Sequence, residues 1–573
     1  MLALVVLLLT TGIQLTYIQA KNICVASYGS THMNVYQPII KELINRKHNI
    51  TIFLPSGNKD STIKSVGMPP SPELHFILFK SDRLSLSKGA ATLFWKNSRF
   101  VDSLFESLGI LILANLISVY RSSSSNNVEF IEKVKDSFCD VLLADVVQFQ
   151  MIDLATKLDI PVISILNFVH LGIPFSNFIG TSVRTSIAEM IVVVIMPYLR
   201  QIVMNIAGTM YYGYPRHIFS SIYARPYMTP TFADFSTSHL SKNMLVLGPS
   251  NVKIALSTDE CWNCDENGSN GHSIVIDVSS TTVHCSESRP LIVGKKRILL
   301  AAFGTHFEVP KHAVQRLCEA FRIVLNSGSI DNVVFSRRPL DFDESDDDIK
   351  QCKTTVIDDL SSCNDDRIWS TTWINQKELL DSGAVGLFLT HGGYSSILEA
   401  TEARLPFVVL PVFADQNFNA LVVADAGMAE TIHKTDSPIV IASALMKVLQ
   451  NPTQYLDNAK SSITSAGISA GLLSYDNNGK LVQINSMQAK GADLIEKIAA
   501  EGVNNSLQRL VPDVWSHYAH KDGPSFLSYT FFMSTFQILL GLLIVLSPLI
   551  LSLIALKILT KRICYYKSDS LFQ

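Results

Sequence analysis

The chain has little charge and no surplus of either sign. Lysine and arginine number 47 against 50 aspartate and glutamate, charged residues are 17% of 573, and the net charge at pH 7 is −3. With no basic excess to neutralise phosphates, composition argues against a nucleic-acid partner. There is no internal repeat at solenoid periods and no extended low-complexity tract. Nine cysteines are scattered along the chain. Cys261-Trp262-Asn263-Cys264 is a lone CxxC without a second pair, so it lacks the four ligands of a zinc site. In an oxidising compartment it reads as a local disulfide or a pairing with Cys285. The acidic run from Asp341 to Asp348 has the look of a metal-binding DxD, but without an apolar frame it reads as a solvated loop. No metal is expected.

What is abundant is apolar sequence, 47% of the chain, with a mean hydropathy of +0.25. The length exceeds what one hydrophobic core serves, so two or more domains are expected. Residues 1–20 resemble a cleaved secretory signal without its basic start, the alternative being an uncleaved interfacial anchor. Residues 529–558 are nearly uncharged and long enough to span a bilayer. Lys561, Arg562 and Lys567 follow in the tail, 559–573, and place it in the cytosol. The expectation is a type I membrane protein with its bulk in a lumen. There Asn49, Asn267 and Asn504 begin glycosylation sequons. Two apolar segments, 108–119 and 187–198, are too short to span and read as core helices, pocket lining or an interfacial contact.

Alternating elements follow the leader. A strand at Asn22–Ala26, a helix over Met33–Arg46 and a strand at Asn49–Leu54 form one βαβ unit. A helix near Val128–Ser137, the strand Val141–Ala144, a helix over Met151–Leu158 and the strand Pro161–Ile165 form another. Such alternation implies an α/β fold with parallel sheets and helices on both faces. The spans read as a first domain at 21–248, a Ser-, Asn- and Gly-rich linker at 249–295, a second α/β domain at 296–454, and helices with polar stretches at 455–528.

The second domain holds the most telling stretch. Val385 to Thr390 is a short apolar run of the buried parallel-strand type. His391-Gly392-Gly393-Tyr394-Ser395-Ser396 follows, then Glu399, then Pro411-Val412-Phe413-Ala414-Asp415-Gln416. Glycines let the backbone turn and approach a ligand, Ser395 or Ser396 would cap the next helix, and a helix N-terminus favours a phosphate. With Trp373-Ile374-Asn375-Gln376 upstream, this spacing resembles the signature of the UDP-glycosyltransferases, most closely the membrane-bound UDP-glucuronosyltransferase type. Asn375, Ser395 and Leu405 depart from the usual proline, asparagine and glycine, and bear on donor affinity and loop geometry.

The resemblance implies a GT-B fold, two facing Rossmann-like domains, with the C-terminal helices crossing back onto the first. It implies that Trp373 stacks on uracil and that Gln376 contacts base or ribose. His391, Gly393, Ser395, Ser396 and Thr305 would hold the diphosphate, Glu399 the ribose, and Asp415 and Gln416 the sugar hydroxyls. His32, in the loop after the first strand, matches the family's catalytic histidine, and Asp145, after Val141–Ala144, its aspartate partner. Sugar transfer needs a base of this kind, and a carboxylate on the second ring nitrogen fixes the tautomer.

These features predict an inverting transferase that needs no metal or cofactor. It would move glucuronic acid or glucose from a UDP-sugar to a small lipophilic acceptor in the endoplasmic reticulum. Homo- or hetero-oligomers stay open, and the tail lacks a dilysine signal. The rivals are a UDP-sugar- or lipophile-binding membrane protein without turnover and a metal-dependent GT-A transferase using the acidic run.

Overall fold

A computed structural model describes residues 20–26, 30–55, 71–79, 128–145, 158–165, 227–230, 244–250, 252–256, 274–276, 291–293, 298–304, 309–337, 365–371, 374–412 and 415–502, with isolated positions at 95, 151, 154–155 and 363. The leader, the segment 529–573, both short apolar segments, the CxxC, the acidic run, Thr305, Trp373, Asn267 and Asn504 lie outside these residues. Among the described residues no helix is long and apolar enough to cross a membrane.

The first sheet has seven strands. They are β1 (Asn22–Ala26), β2 (Asn49–Pro55), β3 (Leu74–Phe79), β4 (Val141–Asp145), β5 (Val162–Ile165), β6 (Tyr227–Pro230) and β7 (Met244–Gly248), in spatial order β3-β2-β1-β4-β5-β6-β7. Every pairing is parallel. Alternate residues of β1 enter different cores. Ile23 and Val25 join one apolar cluster, while Cys24 and Ala26 join another. Both faces are therefore covered, which is why β1 and β4 read as apolar runs without alternation.

Helix α1 (Ser30–Asn45) follows β1 and α2 (Val128–Asp136) precedes β4. Helix α1 starts three residues earlier than its apolar spacing predicts, so His32 is the third residue of the helix and not a loop residue. Asp145 is likewise the last residue of β4.

The linker is not featureless. It contains the one-turn helix α3 (Lys253–Leu256) and an antiparallel pair, β8 (Ile274–Ile276) with β9 (Leu291–Val293).

The second sheet has six strands, β10 (Ile298–Ala302), β11 (Asn332–Ser336), β12 (Ile368–Thr371), β13 (Val385–Thr390), β14 (Phe407–Val409) and β15 (Ala429–Thr431), in order β12-β11-β10-β13-β14-β15. All are parallel. Leu299 and Ala301 enter one cluster and Ile298, Leu300 and Ala302 the other, so this sheet too is buried on both faces. Its helices are α4 (Lys311–Asn326), α5 (Gln376–Asp381), α6 (Tyr394–Glu402), α7 (Asp415–Asp425), α8 (Pro438–Gln450) and α9 (Pro452–Ser469). A hairpin, β16 (Leu473–Tyr475) with β17 (Leu481–Gln483), then leads to α10 (Met487–Glu501).

Helix α10 packs on α1. A Cβ on Gly491 would stand 3.0 Å from Ile39 Cδ1, so only glycine lets the two helices approach this closely without displacement. Arg46 Nη1 donates to Asp493 at 2.7 Å and to Glu496 at 3.0 Å, while its Nε donates to Glu42 at 2.9 Å. His48 is fully buried. Its Nδ1 accepts from the Lys21 N–H, so the proton sits on Nε2, which donates to Glu496 Oε1 at 2.8 Å.

Two disulfides pair cysteines far apart in sequence, Cys24 with Cys139 and Cys318 with Cys363. Neither pairing is among those expected from the CxxC.

Candidate active site

In each sheet the strand order reverses at one place, between β1 and β4 in the first and between β10 and β13 in the second. Open α/β sheets bind ligands at the carboxyl ends of the strands flanking such a reversal. In the first sheet the two chain segments there carry His32, in the first turn of α1, and Asp145, at the end of β4. Asp145 is fully buried. Tyr36, in the second turn of α1, is also fully buried. Burial lifts its phenol well above the ordinary value, and the charge of Asp145 adds to the rise. The phenol therefore stays a neutral donor, and its oxygen has no hydrogen-bond partner among the described residues. No motif marks Tyr36; its spacing from His32 was the available signal.

In the second sheet the corresponding ends belong to Gly304 and His391. The His391 ring lies against both flanking glycines. A Cβ on Gly304 would meet His391 Nε2 at 2.9 Å, and one on Gly393 would meet it at 2.6 Å. Gly304 also has φ of +77°, and Gly392 has φ of +82° with Val409 Cγ1 only 2.6 Å from where a Cβ would be. Glycine is thus required at 304 and 392 by both backbone conformation and space.

Helix α6 begins at Tyr394 with Gly393 at the cap position and no side-chain capping bond. Ser395 and Ser396 are therefore inside the first turn and do not cap it. With φ of −61° and ψ of 142°, Gly393 already occupies the extended cap conformation. The uncapped N–H groups and the positive end of the helix dipole remain at this end, next to His391.

Gln376, the first residue of α5, reaches across to α6. Its Nε2 donates to Glu399 Oε2 at 2.7 Å and to Ser396 Oγ at 3.1 Å. Burial raises the Glu399 carboxyl above its ordinary value, and the Gln376 hydrogen bond opposes the rise. Asn375 caps nothing on the backbone, and its Nδ2 donates to Glu378 Oε2 at 2.8 Å.

Asp415 opens α7, and the next residue, Gln416, is buried. Its side-chain oxygen accepts from the Val412 N–H at 3.0 Å. Asn419 completes the arrangement, with its Nδ2 donating to the Gly392 carbonyl at 2.9 Å and tying α7 to the glycine turn. Asn419 carries no chemistry a motif would flag, and only the fold reveals its place.

The structure thus brings together Gln376, His391, Gly393, Ser395, Ser396, Glu399 and the start of α7 around one sheet edge, and Asp145 with the start of α1 at another. Among the described residues no group of three or more His, Cys, Asp and Glu could hold a metal ion. Asn49 is exposed at the start of β2, and its Nδ2 donates to Asn22 Oδ1 at 3.0 Å.

Residues 363–464 match the family model described as UDP-glucoronosyl and UDP-glucosyl transferase. A UDP-glycosyltransferase of Talaromyces amestolkiae is 29% identical over 167 residues, 28% of this chain and 31% of that protein. A UDP-glucuronosyltransferase of Pleuronectes platessa is 40% identical over 80 residues, 14% of this chain and 17% of that protein. The chain spans about a third, or less, of the length of these curated relatives. Arabidopsis thaliana UGT89C1 in complex with UDP-L-rhamnose is similar at 13% identity, over 83% of this chain and 98% of that one, with a TM-score of 0.49. The match begins just before β12, ends within α9, and takes in the glycine turn, Gln376, Glu399 and Gln416, and over this segment the chain is similar to the UDP-glycosyltransferases.

Proposed function

We propose that the protein is an inverting UDP-hexosyltransferase of GT-B architecture, acting on a small lipophilic acceptor. What supports the reading is the pairing of the two reversal points. One carries a histidine and a buried aspartate, the other a glycine turn, an uncapped helix start and a Gln-Ser-Glu cluster within a family segment.

In this reading His32 takes the proton of the acceptor hydroxyl while Asp145 stabilises the imidazolium that forms. The acceptor oxygen bonds to the anomeric carbon as the bond from that carbon to the diphosphate breaks. The electron pair leaves with UDP. A single displacement inverts the anomeric centre. Negative charge developing on the diphosphate meets the N-terminus of α6 and His391, so no metal is called for. Gln376 and Glu399 serve base and ribose, with Trp373 stacking on uracil and Thr305 on the phosphates. Asp415 and Gln416 serve the sugar, glucuronic acid or glucose.

The setting we propose is the lumen of the endoplasmic reticulum, with residues 529–558 as the single membrane span. Disulfides at Cys24–Cys139 and Cys318–Cys363 support an oxidising compartment.

The test uses microsomes containing the wild type or His32→Ala, with UDP-glucuronic acid and UDP-glucose offered separately to phenols and steroids, with and without EDTA. Transfer from one donor, falling roughly 10²–10⁴-fold in the variant, is the expected result. Turnover that survives His32→Ala removes the base from its role. Absence of any transfer by a folded, UDP-binding protein would favour a binding protein, and transfer abolished by EDTA would favour a metal-dependent enzyme.

A further inference from the structure

Lys434 is only 1% exposed, among the largest fully buried side chains of the described residues. An ammonium is costly to bury without polar partners, and a methionine would fill similar space at no such cost. Its Nζ donates to the carbonyl of Val412 at 2.7 Å. The N–H of the same residue, Val412, donates to Gln416 Oε1 at 3.0 Å. One residue just before α7 is thus gripped at both its polar groups.

The turn that presents Lys434 is itself fixed. The His433 N–H donates to Asp436 Oδ2 at 2.7 Å. The Thr435 N–H donates to His433 Nδ1 at 3.2 Å, and the Thr435 hydroxyl donates to the same nitrogen at 2.7 Å. Arg316, on α4, also donates to the Lys434 carbonyl. The ammonium is therefore aimed by its backbone before any ligand arrives.

We infer that Lys434 is a positioning residue for the donor sugar: through the Val412 carbonyl it sets the first turn of α7, which carries Asp415 and Gln416. The inference rests on the UDP-sugar reading above. It separates the sugar from the nucleotide. Helix α7 is tied to the glycine turn one turn further on, through Asn419 and the Gly392 carbonyl. Loss of Lys434 therefore tells on the first turn of α7 and leaves His391, Gly393 and α6 in place. Binding groups displaced by about 0.5 Å lose most of their effect.

The experiment is calorimetric titration of the full-length protein in detergent with UDP, UDP-glucose and UDP-glucuronic acid. For Lys434→Met the expected Kd for UDP stays within about twofold of wild type. The Kd for the UDP-sugar the wild type binds rises about tenfold, or about 1.4 kcal/mol. Lys434→Arg, which keeps a donor, recovers most of the loss. Lys447→Met, removing an exposed lysine that pairs with Glu430 on β15, changes neither Kd. If Lys434→Met weakens UDP and UDP-sugar equally, or alters neither, the inference is overturned while the donor reading stands. A wild type that binds no UDP and no UDP-sugar sinks both. Should Lys434→Met not fold, Arg316→Met releases the same turn and must show the same selective loss of UDP-sugar.

Discussion

Glu399 shows how a single residue can be set against the stability of the fold. Its carboxyl is raised by burial, so the folded protein binds its proton more tightly than the unfolded chain does. Stability from this group is fully present below the ordinary carboxylate value and is lost as pH rises through the folded one. Glu399→Gln removes that loss while keeping an oxygen for Gln376 Nε2. The expected outcome is a higher Tm at pH 7, with the gain over wild type vanishing toward pH 4, and weaker binding of UDP. A Tm gain that persists unchanged at pH 4 would contradict the account. Gln376, Ser396 and Glu399 are named by the motif spacing, and the structure bonds them to one another. Asn419 and Lys434 were not readable, because their partners are backbone carbonyls whose positions only the fold defines.

At the scale of elements, the long buried strands were legible and the ends and small pieces were not. Val385–Thr390 coincides with β13, because a run buried on both faces has no alternation to blur it. Helix starts slipped by a few residues at Ser30 and Tyr394, where cap conformation and not apolar spacing sets the boundary. The hairpins β8–β9 and β16–β17 escaped notice because strands of three residues carry almost no periodic signal. The contact of α10 with α1 gives the sharpest test at this scale. Gly491→Leu forces a side chain into space held by Ile39 and is expected to cost about 1–3 kcal/mol. Thermal unfolding and amide exchange check it, with protection falling first along α10. Unchanged exchange in α10 would mean that the close approach at Gly491 does not hold the helix, leaving that to its other contacts, among them the bonds of Arg46 and His48.

For the molecule as a whole, α/β class and two units follow from alternating elements and length, and both sheets are parallel as that alternation requires. The disulfides were out of reach, since Cys24 and Cys139 lie 115 residues apart and only the pairing of β1 with β4 makes them neighbours. The last described helix lies against the first one, so the path of the chain closes on itself. Arg46 and His48 on one side and Asp493 and Glu496 on the other stitch the closure. A closed path does not depend on an unbroken thread. Cut between 256 and 291, the protein should behave as two complementing halves and not as two debris fragments. Co-expressed as 21–256 and 291–502, the halves are expected to purify together and to bind UDP. Arg46→Glu in the first half, which turns the stitch into a repulsion, should keep them apart.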